Sequence, residues 1–362
     1  MDKKFVMGIA AMAALTLVSC SSDDLDSVSG NSSKNEAISF DSYLGRSAVA
    51  VNGSRSIMLN DKEALQGLEA GFGVFSKYTD GQTSDPVLFS NQQVTYKNSK
   101  WTYTPLRFWP AQRHIDFLAY APYDKKYTTL TGNSIEFTVE KKVADQKDLL
   151  WANATNQTKD NISKTGNKVK FQFAHALSRL GYTVKLYDGD PSNATFKLKK
   201  ITLAGSADGT AGTFYTVGTI DLSKPSTEDP WTSKGAKDNT KLTFDWDYSA
   251  KPLELSKTVT QITNTNTEYL FVIPQKFPSA TEENADKLYV IVEYDIKYTD
   301  IEKPITNKVY KQLPIEFKQG KAYMLNLTIG LPIEFDADVT PWTKEGNEET
   351  GIGIDSWDDI NH

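Results

Sequence analysis

The stretch LYVIVEYDIKYT, residues 288–299, decides how this chain is read. Leu288, Val290, Val292, Tyr294, Ile296 and Tyr298 alternate with Tyr289, Ile291, Glu293, Asp295, Lys297 and Thr299. Successive side chains of a strand point to opposite faces, so a two-residue step marks a strand with one face buried. Tyr323, Leu325, Leu327, Ile329, Leu331, Ile333 and Phe335 keep the same step. Upstream, Val169, Phe171 and Phe173 share a face, as do Leu180, Tyr182, Val184 and Leu186. The two sets lie an odd number of residues apart, which predicts a bulge or kink within Ala174–Ser178. A helix over FAHALSRLGY, residues 173–182, is the competing reading.

The first half has the same texture. QQVTYKNSKWTYTPLRFWP (92–110) reads as a hairpin turning at Lys97–Lys100. HIDFLAYAP (114–122), NSIEFTVE (133–140) and DLLWANAT (148–155) follow as short strands. One helix is expected: Asn60 caps it, Glu63 stands three residues on, Leu65 and Leu68 face inward, and Gly71 ends it. Seventeen tyrosines, seventeen phenylalanines and seven tryptophans, with frequent Thr and Val, favour strands. Short strands separated by polar turns predict an all-β chain of two antiparallel β-sandwich domains. The polar run Asn153–Lys168 is the expected boundary, dividing 37–160 from 161–330 and leaving 331–362 as an extension. No residue-level repeat relates the halves.

Charge and cysteine content narrow the function. The net charge is −6 with no basic cluster, which argues against nucleic acid or an anionic membrane surface as a partner. One cysteine permits no internal disulfide, so stability rests on packed cores.

That cysteine stands in a telling place. Lys3 and Lys4 precede an apolar run from Phe5 to Val18, broken only by Gly8 and Thr16. The run is shorter than the ~20 residues a membrane span needs, and with its basic start it reads as a signal peptide over 1–19. Leu17-Val18-Ser19-Cys20 resembles the bacterial lipobox, which implies that Cys20 is acylated, for example with palmitate, and heads the mature chain. A buried free thiol is the alternative. Ser21-Ser22-Asp23-Asp24 resembles the acidic export signal of Bacteroidetes surface lipoproteins, implying the outer face of the outer membrane. Residues 20–36 are a flexible tether by composition. Within it, Asp26-Ser27-Val28 resembles a short O-glycosylation motif of the same bacteria, which makes Ser27 the candidate acceptor.

Further blocks resemble one family. DLLWANA, FQFAHALSRLGYTVKL, YLFVIPQ, QGKAYMLNL and VTPW occur in that order, after ISFDSYLGRSAVA near the start. Together they resemble the signature blocks of the fimbrillin-like proteins of Bacteroides and Porphyromonas. The resemblance implies two transthyretin-like sandwich domains and a place in a type V pilus serving adhesion. It implies export as a lipoprotein, trimming by an arginine-specific protease in an early strand, and head-to-tail polymerisation with like subunits by donor-strand exchange. The early strand is then AISFDSYLG, with Ile38 and Phe40 in step, and the cut follows Arg46 or, failing that, Arg55. The tail holds Leu331, Ile333, Phe335, Val339, Trp342, Ile352 and Ile354 among acidic residues and glycines. It either leaves its domain as a donor strand or completes the second sandwich.

Enzymatic signals are missing. His114, His175 and His362 have no metal-ligand spacing, and His175 reads as a packing residue. There is no nucleophile elbow, phosphate loop or HExxH, so neither catalysis nor a cofactor is expected. The rival to a polymerising subunit is a tip adhesin or solitary surface lipoprotein binding a glycan or host protein. Trp231, in EDPWTSKG, is the candidate stacking residue for a sugar.

Overall fold

The computed structural model describes residues 36–44, 59, 62–79, 87–111, 113–189, 192–235, 241–258, 260–261, 269–279, 285–330 and 334–341. Counting strands of three residues or more, the first half carries β1 (Phe40–Leu44), β2 (Phe72–Tyr78), β3 (Gln92–Lys97) and β4 (Lys100–Thr102). It continues with β5 (Ile115–Ala121), β6 (Ser134–Thr138), β7 (Leu150–Gln157) and β8 (Val169–His175). The second half carries β9 (Ser178–Leu186), β10 (Ala194–Ala204), β11 (Val217–Asp221), β12 (Trp231–Lys234) and β13 (Phe244–Asp247). It ends with β14 (Leu270–Val272), β15 (Tyr289–Tyr298), β16 (Ile305–Gln312), β17 (Lys321–Ile329) and β18 (Glu334–Pro341). The described α-helices are α1 (Lys62–Gly67) and the single turn α2 (Lys159–Ile162).

The all-β reading holds. The 288–299 stretch is β15, paired antiparallel with β10 on one side and β16 on the other. The expected hairpin is β3–β4, closed by Asn98 and Ser99 at φ 50° and 60°. Two consecutive positive φ values match the right-handed twist of the strands they join. The described part of the expected helix is α1, with Leu65 fully buried, and Gly71 follows at φ 64°. Asn60, its expected cap, lies outside the described residues.

The first sheet has seven strands in the order β1-β8-β7-β5-β2-β3-β4. Both of its faces are buried along the central strands. Along β5, Ile115, Phe117, Ala119 and Ala121 join one core, while Leu118 and Tyr120 join the other. Strand β7 does the same, with Leu150 and Ala152 on one side and Leu149 and Trp151 on the other. Alternate side chains serve opposite faces, so one sheet separates two cores. The first core is rich in phenylalanine and includes Ile38, Phe40, Leu44, Phe72, Phe89, Phe117, Phe171 and Phe173. The second gathers the inward residues of β9, β10, β13, β15 and β17.

Three sequence expectations are corrected here. The Ala174–Ser178 irregularity is neither a bulge nor part of a helix: the chain passes from β8 in the first sheet to β9 in another, through the buried Ala176 and Leu177. The parity slip follows because the two strands face different cores. Strand β8, assigned by sequence to residues 161–330, pairs with β1 and β7, so the first sheet closes at His175 rather than at 160. The polar run before it holds α2, capped by a reciprocal Thr158–Asn161 pair. The long step from Tyr323 to Phe335 is two strands, β17 and β18, folded back on one another.

The halves are also interleaved. Strand β6 of the first half pairs antiparallel with β11 of the second, with Phe137 opposite Gly218. Trp151 donates its indole N–H to Lys224 O at 3.0 Å, and Trp231 donates to Ala176 O at 2.7 Å. Two pairings run parallel rather than antiparallel, β1 with β8 and β9 with β17. In the first half, therefore, the opening strand lies beside the closing one, and in the second β9 lies beside β17, which β18 flanks on its other side.

Candidate functional site

Strand β1 is the element whose sequence signals pointed to function, and its surroundings form a bay at the end of the first sheet. It runs parallel to β8 in the register Phe40–Val169, Asp41–Lys170, Ser42–Phe171, Tyr43–Gln172 and Leu44–Phe173. Among the described residues no further strand pairs with β1 on its other side. At the start of β1 a second contact holds the chain: Ile38 N–H donates to Arg107 O at 2.8 Å. Tyr103 donates its hydroxyl to Ile38 O at 2.6 Å. Burial raises the Tyr103 pKa, against the lowering effect of Arg107.

Alternation decides what β1 contributes. Ile38, Phe40, Ser42 and Leu44 point into the first core and are at most 4% exposed, whereas Tyr43 is 52% exposed. Phe40 sits at the centre of an aromatic nest. Its ring centroid lies 6.4 Å from Phe72, 5.5 Å from Phe89, 5.5 Å from Tyr103, 5.8 Å from Phe117 and 5.6 Å from Phe171. Burying Ile38, Phe40 and Leu44 is worth about 2 kcal/mol each in transfer alone. Ser42 is the weak point, because its buried hydroxyl oxygen has no hydrogen-bond partner. Taking β1 away would uncover this apolar trough and leave the β8 backbone as an unpaired sheet edge, a template that recruits another strand.

Strand β1 ends at Leu44, two residues before Arg46. Arg46 and Arg55 lie outside the described residues, as do Cys20, Ser27 and the rest of 1–35. Chain description resumes at Leu59, which is buried and whose N–H reaches Asp148 Oδ2 at 3.4 Å. The same carboxylate oxygen lies 2.9 Å from His175 Nδ1, within the junction between β8 and β9. His175 is thus a buried, partnered residue, in keeping with a packing role. Arg179, one strand on, lies with its guanidinium 4.6 Å above the Tyr269 ring, and burial lowers its pKa.

Of the tail candidates, Phe335 and Val339 lie on β18, whose register sets Phe335 opposite Leu327 and Val339 opposite Tyr323. Strand β18 is the last strand of the sheet containing β9 and β17, so within this chain it completes the second half. Leu331, Ile333, Trp342, Ile352 and Ile354 lie outside the described residues. The sugar-stacking candidate is corrected: Trp231 is 7% exposed and packs in the second core. All five described tryptophans are buried, because each fills a core or an inter-sheet junction. Among the described residues no cluster of His, Cys, Asp and Glu could hold a metal ion.

The role of Phe40 as a nest centre was hidden in the sequence, which offered only its step with Ile38. The contributions of Tyr103 and Arg107 carried no signal at all, since both sit in an irregular segment that meets β1 only in three dimensions.

A family model described as fimbrillin-like matches residues 65–342. The fimbrium subunit Fim1C of Phocaeicola vulgatus is 27% identical over 389 aligned residues, 95% of this chain and 98% of its own. Among solved structures, a fimbrial protein from Bacteroides vulgatus is 21% identical with a TM-score of 0.61, over 85% of this chain and 100% of that one. A candidate cell adhesion protein from Bacteroides ovatus is 17% identical with a TM-score of 0.50, over 86% and 99%. These two structures share the fold. With the family model running through the walls of the bay and through both cores, the chain belongs to the fimbrillin-like family.

Proposed function

We propose that this chain is a structural subunit of a type V pilus. It is exported as a lipoprotein acylated at Cys20, displayed on the outer membrane, trimmed after Arg46 or Arg55 by an arginine-specific protease, and polymerised by donor-strand exchange. The observation that carries this reading is β1 itself: an edge strand that plugs an aromatic-lined bay and stops two residues before an arginine. Cutting there severs β1 from the body while the body keeps Leu59 seated in its own core. The exposed edge of β8 then accepts the tail, 331–362, of a neighbouring subunit. One surface accepts and a different surface donates, so the contact does not close on itself and extends as a filament. Adhesion to a host or bacterial surface is the task of that filament.

The test compares the full chain with a truncation after Gly330, both exported and trimmed with an arginine-specific protease. The full chain should give ladders on unheated gels and the truncation should not. A trimmed full-length protein that stays monomeric under all conditions would favour a tip adhesin or a solitary surface lipoprotein.

A further inference from the structure

A pull on this chain enters and leaves its second half at opposite ends of one parallel strand pair. Strand β8 runs into β9 with only Ala176 and Leu177 between them, and both are buried. The junction is held from three sides. Ala176 N–H donates to Leu149 O at 2.8 Å, and Gly320 N–H donates to Leu177 O at 2.9 Å. The Trp231 indole donates to Ala176 O at 2.7 Å. Tension on the first half therefore reaches β9 at Ser178 without passing through a slack linker. Strand β17 stops at Ile329, and the chain continues from there into the tail.

Strands β9 and β17 run parallel over eight residue pairs, from Arg179–Ala322 to Leu186–Ile329. The loaded end of β9 lies beside Ala322 and the loaded end of β17 beside Leu186, so the two are seven residue steps of about 3.3 Å apart. Opposed forces applied there run along the strands. The bonds of a parallel ladder are evenly spaced, so all of them resist sliding at once. Leu180, Tyr182, Val184 and Leu186 of β9 and Tyr323, Leu325, Leu327 and Ile329 of β17 add the second core to that resistance. Thr183 Oγ1 donates to Asn326 Oδ1 across the pair at 2.8 Å, and Tyr187 N–H donates to Ile329 O at 2.9 Å beyond its end. Strand β18 is loaded differently. It is antiparallel to β17, and its last residue, Pro341, stands beside Lys321, at the Ser178 end of the sheet. A pull beyond Pro341 detaches β18 one pair at a time.

Resting on the filament reading above, we propose that β9 and β17 form the tension-bearing clamp of the subunit. The clamp carries load between the first half and the tail by shear, whereas β18 peels at low force.

Pulling the full chain in two directions tests this. Cys20, the only native cysteine, is replaced by serine, and pairs of introduced cysteines carry the handles of a single-molecule force instrument. Lys170→Cys with Thr328→Cys loads the clamp in shear. Tyr187→Cys with Thr328→Cys loads the same two strands at one end. Lys170 and Tyr187 are exposed and Thr328 is half-buried; the exposed Gln172→Cys serves as a second shear handle should Lys170→Cys fold poorly. Forced unfolding follows the unfolding rate along the pulled direction. At one loading rate the shear pair should rupture at a several-fold higher force than the one-end pair. Equal forces, or a higher force for the one-end pair, overturn the clamp while the filament reading stands. If the trimmed unsubstituted chain forms no filament, no tension reaches the subunit, and the clamp's role falls together with that reading.

Discussion

Replacing Phe40 by alanine isolates what β1 contributes. The ring is 3% exposed and lies within 6.4 Å of five other aromatic rings, all of them fixed on β2, β5, β8 or the segments between. Truncating a buried phenylalanine costs about 3–5 kcal/mol, transfer and cavity together. The upper half of that range applies here, because five rings anchored on separate strands cannot all close on the void. Domains are stable by about 5–15 kcal/mol, so this one change removes a large fraction of the total. Urea denaturation of the untrimmed chain gives the measurement. Trp101, 4.8 Å from Phe72, and Trp109, 5.8 Å from Phe117, make tryptophan emission sensitive to the first core. Tyr43→Ala on the same strand is the control: its side chain is 52% exposed and should change stability by no more than ~0.5 kcal/mol. The reasoning also requires that Phe40→Ala leave the trimmed, assembled protein untouched, since β1 is then gone. Equal effects for Phe40→Ala and Tyr43→Ala, or a cost below about 1 kcal/mol for the first, would refute the picture of a plugged bay.

Other consequences are as specific. Ser42→Ala should be neutral or stabilise by up to ~1 kcal/mol in urea, because it deletes a buried hydroxyl without a partner. Gly71→Ala should cost roughly 2–4 kcal/mol, since φ is 64° and a Cβ there would lie 1.9 Å from Val94 O; chemical denaturation decides it. Burial raises the pKa of Tyr103, Tyr120, Tyr127, Tyr182 and Tyr323 above the usual value of 10.0. Their neutral forms are favoured in the fold, so this contribution is complete below pH 10 and is lost as pH rises beyond it. Unfolding free energy should therefore hold steady up to that point and then fall, with tyrosinate absorbance appearing on unfolding. Trp231→Ala should lower stability by about 3–5 kcal/mol and leave any sugar binding unchanged, because the indole fills the second core.

Strand content was legible because it rests on a local property, the two-residue step, which β15, β17 and β9 display without help from the rest of the chain. The β3–β4 turn was legible for the same reason. What the sequence hid depends on partners distant along the chain. The slip between β8 and β9 was visible as a change of parity, but only the sheets show that the strands belong to different cores. Asn153–Lys168 looked like a linker because its residues are polar, yet β7 and β8 on either side share one sheet. Polarity marks exposure, and an exposed loop inside a domain has the same composition as one between domains. Trp231 sat in a loop-like context of Glu, Asp, Pro and Ser, while its indole packs over Gly218 of β11 and donates to the Ala176 carbonyl, 55 residues away. Of the bay, the alternation and the nearby arginine were readable, and the ring nest was not.

The central claim is that the bay beside β8 holds a strand of its own chain before trimming and a neighbour's tail afterwards. A helical reconstruction of filaments assembled from trimmed subunits measures this directly. Density beside Val169–Phe173 should be continuous with the tail of the adjacent subunit, with an apolar side chain of that tail among Phe72, Phe89, Tyr103, Phe117 and Phe171. Density there that connects to the subunit's own residues 38–44, or filaments in which β18 still pairs with β17 of its own chain, would contradict the account.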